Sequence, residues 1–468
     1  MTLLPSDAIL AWRRRGLRAG LFLSLVLPGL GVVPASAQTL EEALVQAYNN
    51  NPVLQARRAS LRSLDEGVPQ ALSNWRPTVT FSGNIGQRKL ETNTNNKKTA
   101  DEGRTPSTAD LLVTQPLYRG GRTVAQIRVA EASVQAERAR LFATEQSVFL
   151  DTVTAFATVV RDQATVELNT ANEQRLRRQL EATQDRFRVG EVTRTDVAQA
   201  EAALAGATAA RISSEGTLET SRAQFQRVVG IPASKLTETT LPEKLPTKDD
   251  ALNQAANDNP NVVAAQFEEQ AQSFRVRLAQ GSLLPQLSLQ GETRRDSNTG
   301  SSNHSATNSA NATALVTVPL YEAGNITSQV RQARETQTQR RSDIEDQRRQ
   351  SINTATAAFE TVLSNKAQLV SLHSQIHAAE IALEGVQQEA LVGSRTVLDV
   401  LDAEQALLTA QVNLVNTQRD LTVNTYTLIS ATGRLTARDL NLPVEFYDFD
   451  AHYRVVRNIW WGILDALP

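Results

Sequence analysis

Past residue 38 the chain carries two kinds of hydrophobic pattern, and their order is written twice. From Pro77 apolar side chains recur at every second position, Val79, Phe81 and Ile85, and from Pro285 at Leu287 and Leu289. A period of two predicts strands with one apolar face. A polar stretch rich in Asn, Thr, Ser and Gly follows each, Glu91–Ser107 and Thr293–Asn311, and reads as a loop. Alternation resumes at Ala109, Leu111, Val113 and Leu117, and at Ala312, Ala314, Val316, Val318 and Leu320. Two β-hairpins are therefore expected, each entered from a helix over about 39–74 and about 248–283.

Beyond each hairpin the pattern becomes helical for an unusual length. No proline occurs between Leu117 and Ile231 or between Leu320 and Leu442, and one break is expected in each stretch, at Val189-Gly190 and Val392-Gly393. The helix from Arg122 to Phe187 would be on the order of 100 Å long. After the second break Val400, Leu407, Leu414, Leu421 and Leu428 recur every seven residues, flanked by Leu401, Leu408, Val415 and Ile429. Two adjacent heptad columns predict a helix packed between helices on a coiled-coil seam. The first half carries the column as Val197, Leu204, Leu218 and Phe225, with Arg211 interrupting it.

The repetition extends to individual residues. Asn51-Pro52 returns as Asn259-Pro260, and Pro77, Phe81 and Gly83 return as Pro285, Leu289 and Gly291, all 208 residues later. Pro116-Leu117-Tyr118 with Gly121 returns as Pro319-Leu320-Tyr321 with Gly324 at an offset of 203, which then holds without a gap to Gly230 and Gly433. The change in offset falls between Gly83 and Pro116, which marks that stretch as a loop. The chain is a tandem duplication. The expected organisation is a cleaved leader over 1–37, a first helix–hairpin–helix repeat over 38–231, a linker over 232–247, a second repeat over 248–435 and a C-terminal segment over 436–468.

The leader is read from Arg13, Arg14 and Arg15, an apolar run from Ala19 to Val33, and an A-x-A site at Ala35-Ser36-Ala37. That run is too short and wrongly flanked for a spanning helix, so a mature chain beginning near Gln38 is expected. No later run approaches 18 apolar residues, so an exported chain that enters a membrane does so as strands. The remaining composition narrows the chemistry. A net charge of −2 gives no sign of a nucleic-acid partner, and the absence of cysteine excludes disulfides, thiol nucleophiles and a lipidated Cys. No nucleotide-binding loop, dinucleotide fingerprint or Ser-His-Asp arrangement is present, so no catalytic residue and no cofactor is expected. His373 and His377 stand at i, i+4, a spacing that can hold zinc, but without H-E-x-x-H or cysteine they read as a partly exposed helix face. His304 sits in a polar loop.

Four strands with an apolar face cannot close on themselves, and open sheet edges are not tolerated in hydrocarbon. Closure would need several chains, and three copies would give twelve strands. On geometry alone an equal reading makes the hairpins soluble sheets capping a helical rod. Thr193-x-x-Asp196 and Thr396-x-x-Asp399 both have capping-box form just past the helix breaks. The halves differ at Arg395, where the first has Val192, and at Asp402, where it has Gln199. Asp399 and Asp402 share one helix face and could ring a lumen in a threefold assembly.

The doubled plan resembles the TolC family of outer-membrane efflux proteins over the whole mature chain. The resemblance is carried by Arg186-Phe187-Arg188-Val189-Gly190 running to Thr195-Asp196-Val197, and by Val392-Gly393-Ser394-Arg395-Thr396-Val397-Leu398-Asp399-Val400-Leu401-Asp402-Ala403. It implies a mainly α fold with β: a homotrimer with a twelve-stranded barrel in outer-membrane lipid and a helical periplasmic barrel closed at its inner tip. A periplasmic adaptor and an inner-membrane transporter of RND or ABC type are the implied partners, and 232–258 with 436–468 would lie around the middle of the helical barrel. The resemblance also assigns Asp399 and Asp402 to the constriction, and Arg395, Thr195, Asp196 and Gln179 to the lock of the closed tip. The family's Tyr and acidic lock positions are Ala390 and Gln387 here, which implies fewer closing bonds. The competing readings are a periplasmic adaptor, which needs flanking β-domains, and an exported structural coiled coil, which needs unbroken heptads. The aromatic stretch from Val444 to Trp461 is expected to pack on the outer helices.

Overall fold

The computed structural model describes residues 38–94, 97–237, 241–242, 245–298, 306–460 and 462. The expected leader over 1–37 lies outside the described residues, as do His304 and Trp461.

Where one entry helix was expected in each half, the chain forms shorter ones: α1 (Leu40–Asn50), α2 (Pro52–Asp65) and α3 (Gly67–Leu72) in the first, α6 (Lys248–Asn257) and α7 (Pro260–Gly281) in the second. The breaks between α1 and α2 and between α6 and α7 follow from the Asn-Pro pair. Proline has no N–H and suits the first helical position, and asparagine before it caps the new helix. Asn51 Oδ1 accepts from the Val53 N–H at 2.9 Å and Asn259 Oδ1 from the Asn261 N–H at 2.9 Å. Each amide then reaches across the molecule: Asn51 Nδ2 donates to the Val228 carbonyl, and Asn259 Nδ2 to the Ala431 carbonyl. The repeated dipeptide thus ties each entry helix to the far end of its own half.

Strands β1 (Thr78–Ile85), β4 (Ser107–Arg119), β5 (Gln286–Ser297) and β6 (Ala306–Thr317) form one antiparallel sheet in the order β1-β4-β5-β6. Between β1 and β4 the stretch expected to be a loop is instead a second hairpin, β2 (Arg88–Thr94) and β3 (Lys97–Arg104). Its sequence is mostly polar and carries no period-two hydrophobic signal. The polar stretch of the second half is likewise strand up to Ser297 and again from Ala306. The register sorts the sheet into two surfaces. Val79 lies opposite Val113, Phe81 opposite Leu111, Leu289 opposite Ala314 and Leu287 opposite Val316. On the reverse surface Asp110 lies opposite Arg294, Thr108 opposite Asp296 and Leu112 opposite Glu292. A bulge between Pro116 and Tyr118 moves Leu117 out of the apolar row and brings Tyr118 opposite Leu287. Val318 and Leu320 fall beyond the end of β6, where Pro319 cannot donate to the ladder. Phe81 and Ile85 remain 73% and 76% exposed in the single chain, an apolar surface that needs a non-aqueous neighbour.

Helices α4 (Arg122–Arg188) and α8 (Asn325–Leu391) are each 67 residues long, about 100 Å at 1.5 Å per residue. They turn back into α5 (Arg194–Val229) and α9 (Val397–Ala431). No helix among the described residues is long and apolar enough to cross a membrane. The α9 heptad column is buried at Val400, Leu407, Leu421 and Leu428 and half-buried at Leu414. Arg211, which breaks the column in α5, reaches Glu173 of α4 at 2.5 Å, so a partly buried ion pair stands where the second half has Leu414 and Ile376 at the equivalent positions. The main core gathers Phe149, Phe156, Phe225, Leu54, Leu61 and Leu435. The C-terminal aromatics lie on it, with Phe449 edge-on to Phe142 and the Tyr48 hydroxyl accepting from the Tyr447 N–H; α10 (Ala451–Val456) closes the segment.

Gly120 has φ +62, and an added Cβ would collide with the Gly281 carbonyl; its counterpart Ala323 keeps a left-handed φ of 48. Gly120→Ala should lower stability by about 2–3 kcal/mol through strain and collision. Ala323→Gly should be neutral or stabilising by up to about 1 kcal/mol. Both are read as shifts in the thermal loss of helical circular dichroism.

Candidate gating site

The two helix turns at the end of the long coils hold every residue singled out for gating except Gln179, which lies two and a half turns back along α4. Each turn is built alike. The long helix ends on a valine, a glycine with φ of 81 (Gly190) or 79 (Gly393) reverses the chain, and a threonine with extended backbone caps the returning helix. Thr193 Oγ1 accepts from the Asp196 N–H at 3.3 Å, and Asp196 Oδ2 accepts from the Thr193 N–H at 2.8 Å. Thr396 and Asp399 repeat the arrangement at 3.2 and 2.8 Å. Both capping boxes satisfy helix-start N–H groups that would otherwise lack partners.

The second turn carries more charge. Arg395 donates from Nε to Glu389 Oε2 at 2.9 Å, and both side chains are about half exposed. In the first turn Val192 stands at the equivalent place and Arg186 holds Glu191 instead. The Asp399 carboxyl is held below the usual carboxylate range by hydrogen bonds from the Thr396 N–H and hydroxyl, with Arg395 adding to the effect. Asp402 is exposed one turn further on, and Asp399 is half-buried. Thr195 is exposed, Asp196 and Gln179 are half-buried, and Ala390 is buried at the base of the turn. The structure therefore places Arg395, Asp399 and Asp402 together on one turn, and Thr195 with Asp196 on the other. His373 and His377 lie on the exposed face of α8.

Charged groups that sequence reading passed over lie elsewhere. Asp110, Glu292, Arg294 and Asp296 occupy the polar surface of the sheet, with Arg294 Nε donating to Asp296 at 3.0 Å. Their signal is alternation read for its polar members instead of its apolar ones. Arg175 and Glu404 form a largely buried ion pair between α4 and α9. Comparing the halves finds them: the copy of Arg175 is Ala378.

This combination of a two-faced sheet with two open edges, two long helical hairpins and a charged tip defines a barrel-forming channel subunit. The chain belongs to the outer membrane efflux protein family, whose model matches residues 43–231 and 251–434. It is 34% identical over 433 residues to the outer membrane efflux protein BepC of Brucella suis, covering 92% of each chain. It is 28% identical to the outer membrane protein TolC of Vibrio cholerae, covering 86% of this chain and 92% of that one. The fold matches the CmeC outer membrane channel of Campylobacter jejuni with a TM-score of 0.76 at 16% identity, covering 90% of this chain and 89% of that one. The protein is an outer-membrane channel protein with a periplasmic helical extension, and the readings as an adaptor or a structural coiled coil fall away.

The Asp399 cap should respond to acid in a defined direction. A carboxylate depressed in the folded state contributes stability above its ordinary value of 3.8, and that contribution is lost as pH falls through the folded value. Amide exchange protection in the first turn of α9 should therefore be flat from neutrality to that point and fall below it. Thr396→Ala should lower the same protection about fivefold at neutral pH.

Proposed function

We propose that three copies of the chain close the sheet, β6 of one beside β1 of the next, into a twelve-stranded barrel. The helices continue it as a periplasmic tube that tapers to a tip gated by the second turn. The observation that carries this reading is the sheet itself. Among the described residues β1 and β6 each have only one hydrogen-bonded neighbour. Unpaired strand edges are untenable in lipid, and the apolar surface that would face lipid is the one carrying Phe81 and Ile85. Helix α8 supports it as well, since Leu363, Val370 and Ile381 are exposed along it in the single chain. A neighbouring copy accounts for both.

In this assembly Asp399 and Asp402 of three chains contribute six carboxylates to the narrowest part of the tube, which favours cations and can take up a divalent ion. Arg395 lies where it can bridge to Thr195 and Asp196 of an adjacent chain. Its half-exposed pair with Glu389 is too weak to hold it at home. With Ala390 and Gln387 at two further lock positions, the closed state rests on fewer bonds and opens readily. Gln179 joins the lock from two and a half turns back along α4. The segments 232–247 and 436–468 girdle the tube near its middle, between the repeats 38–231 and 248–435. Conduction is passive: a periplasmic adaptor and an energised inner-membrane transporter of RND or ABC type deliver the substrate, and the chain itself catalyses nothing.

Planar-bilayer recording of purified protein tests this. Arg395→Ser should raise the resting conductance roughly threefold or more by releasing the tip. Asp402→Asn should lower cation preference and weaken block by divalent ions without altering the α9 cap. Unchanged conductance in Arg395→Ser removes the latch.

A further inference from the structure

The pair Arg175–Glu404 lies away from the tip turn, yet it grips the helix that carries the proposed constriction. Glu404 is 4% exposed, and its Oε2 accepts from Arg175 Nε at 2.8 Å. At about 100° per residue Glu404 points about 160° away from Asp402 and about 140° away from Asp399. The carboxylates of the gate and the carboxylate of this pair therefore stand on opposite sides of the same two turns of α9.

Three further observations show what the pair holds. First, α4 is fixed on its other side at the same level. Glu173, two residues from Arg175, takes Arg211 of α5 at 2.5 Å and the Thr208 hydroxyl at 3.1 Å. Arg211, Glu173, Arg175 and Glu404 thus form a crossbar from α5 through α4 to α9. Second, packing at this level is loose. A cavity of about 470 Å3 lies between the three helices, lined by small residues of α5 (Ala203, Gly206, Ala207 and Ala210) and by Leu401 and Glu404 of α9. A small apolar cluster, Leu176 with Ala207, Val397 and Leu401, also bridges this part of the seam, and the ion pair is the directional contact beside it. Third, the duplication does without it. The copy of Arg175 is Ala378, and Glu201, the copy of Glu404, is exposed. The duplicated positions cannot form such a pair, since alanine carries no charge.

We propose that Arg175 and Glu404 are positioning residues for the gate: the pair pins α9 to α4, holds Asp399 and Asp402 at the constriction, and must part when α9 swings outward to open the tip. This rests on the gate reading above. Two properties suit the pair to that task. It is directional, so sliding α9 along α4 breaks it, whereas apolar contacts would slide. And it is buried enough that separation leaves a charge unpaired until water enters the neighbouring cavity, which makes opening a two-state event.

The test is single-channel conductance of purified trimers bearing Glu404→Gln, beside Arg395→Ser. Loss of the pin should raise the open fraction roughly tenfold or more while leaving the yield of trimer unchanged. The charge exchange Arg175→Glu with Glu404→Arg should bring the open fraction back toward the parent, a rescue that a purely structural role for either residue does not give. Wild-type conductance in Glu404→Gln overturns the pin. If Arg395→Ser opens the channel in that same series, the gate reading stands without it; if Arg395→Ser is also silent, the gate reading falls too. Should Glu404→Gln yield no trimer, Glu404→Asp decides, since it keeps the buried charge but withdraws the carboxylate from Arg175. An intermediate open fraction supports the pin, and parent conductance in Glu404→Asp overturns it.

Discussion

Backbone hydrogen bonding at the two outer strands governs the rest of this molecule. Every N–H and C=O in hydrocarbon has to be paired, and among the described residues a sheet ordered β1-β4-β5-β6 leaves one row of each outer strand without a strand partner in its own chain. Other copies are the economical source of those partners, and their arrival creates a lumen. The register already anticipates it, with Val79, Phe81, Leu111 and Leu289 on one surface and Asp110, Glu292, Arg294 and Asp296 on the other. Residues of the second kind face water only if the sheet curls around some. The long helices then have their place, because α4 and α8 leave β4 and β6 directly and run on for about 100 Å each.

Within that frame the two halves share a scaffold and divide the chemistry. Both keep the Asn-Pro entry, the glycine reversal and the threonine cap, since each answers a backbone requirement that either half meets in the same way. They part where a side chain does something the backbone does not ask for. Arg395 replaces Val192 and Asp402 replaces Gln199 at the tip, while Arg175 answers to Ala378 and Arg211 to Leu414 in the coils. Buried ion pairs are poor investments for stability alone, because desolvating both charges offsets most of their attraction. Their use on one side of a duplicated fold speaks for control of position.

The fold was largely legible in the sequence because its signals are periodic and long. Alternation at Val79, Phe81 and Ile85 gave β1, the proline-free stretches gave α4 and α8, and the heptad column at Val400, Leu407 and Leu421 gave the buried face of α9. What was missed lacked such contrast. The sequences of β2 and β3 lack apolar alternation, so Glu91–Ser107 reads as loop, and the bulge beside Leu117 depends on pairing partners about 170 residues away. Helices α1 and α2 read as one because Asn51-Pro52 permits a break without requiring one. At the tip the caps are readable from spacing, whereas the Arg395–Glu389 pair spans an irregular turn that no periodicity describes, and the Arg175–Glu404 pair is a tertiary contact that only comparison of the halves points to.

The claim that neighbouring copies complete the sheet is open to direct chemical measurement, because the chain contains no cysteine to confuse it. One cysteine introduced on β1 at Thr80 and one on β6, placed in turn at Asn311, Thr313 and Leu315, should give an oxidised product in membranes that runs as a covalent trimer under denaturing conditions. At least one register should cross-link efficiently, and the product should vanish on reduction. Oxidised protein that stays monomeric in every register, while the same cysteines remain reactive toward small thiol reagents, would contradict closure between chains and the account built on it.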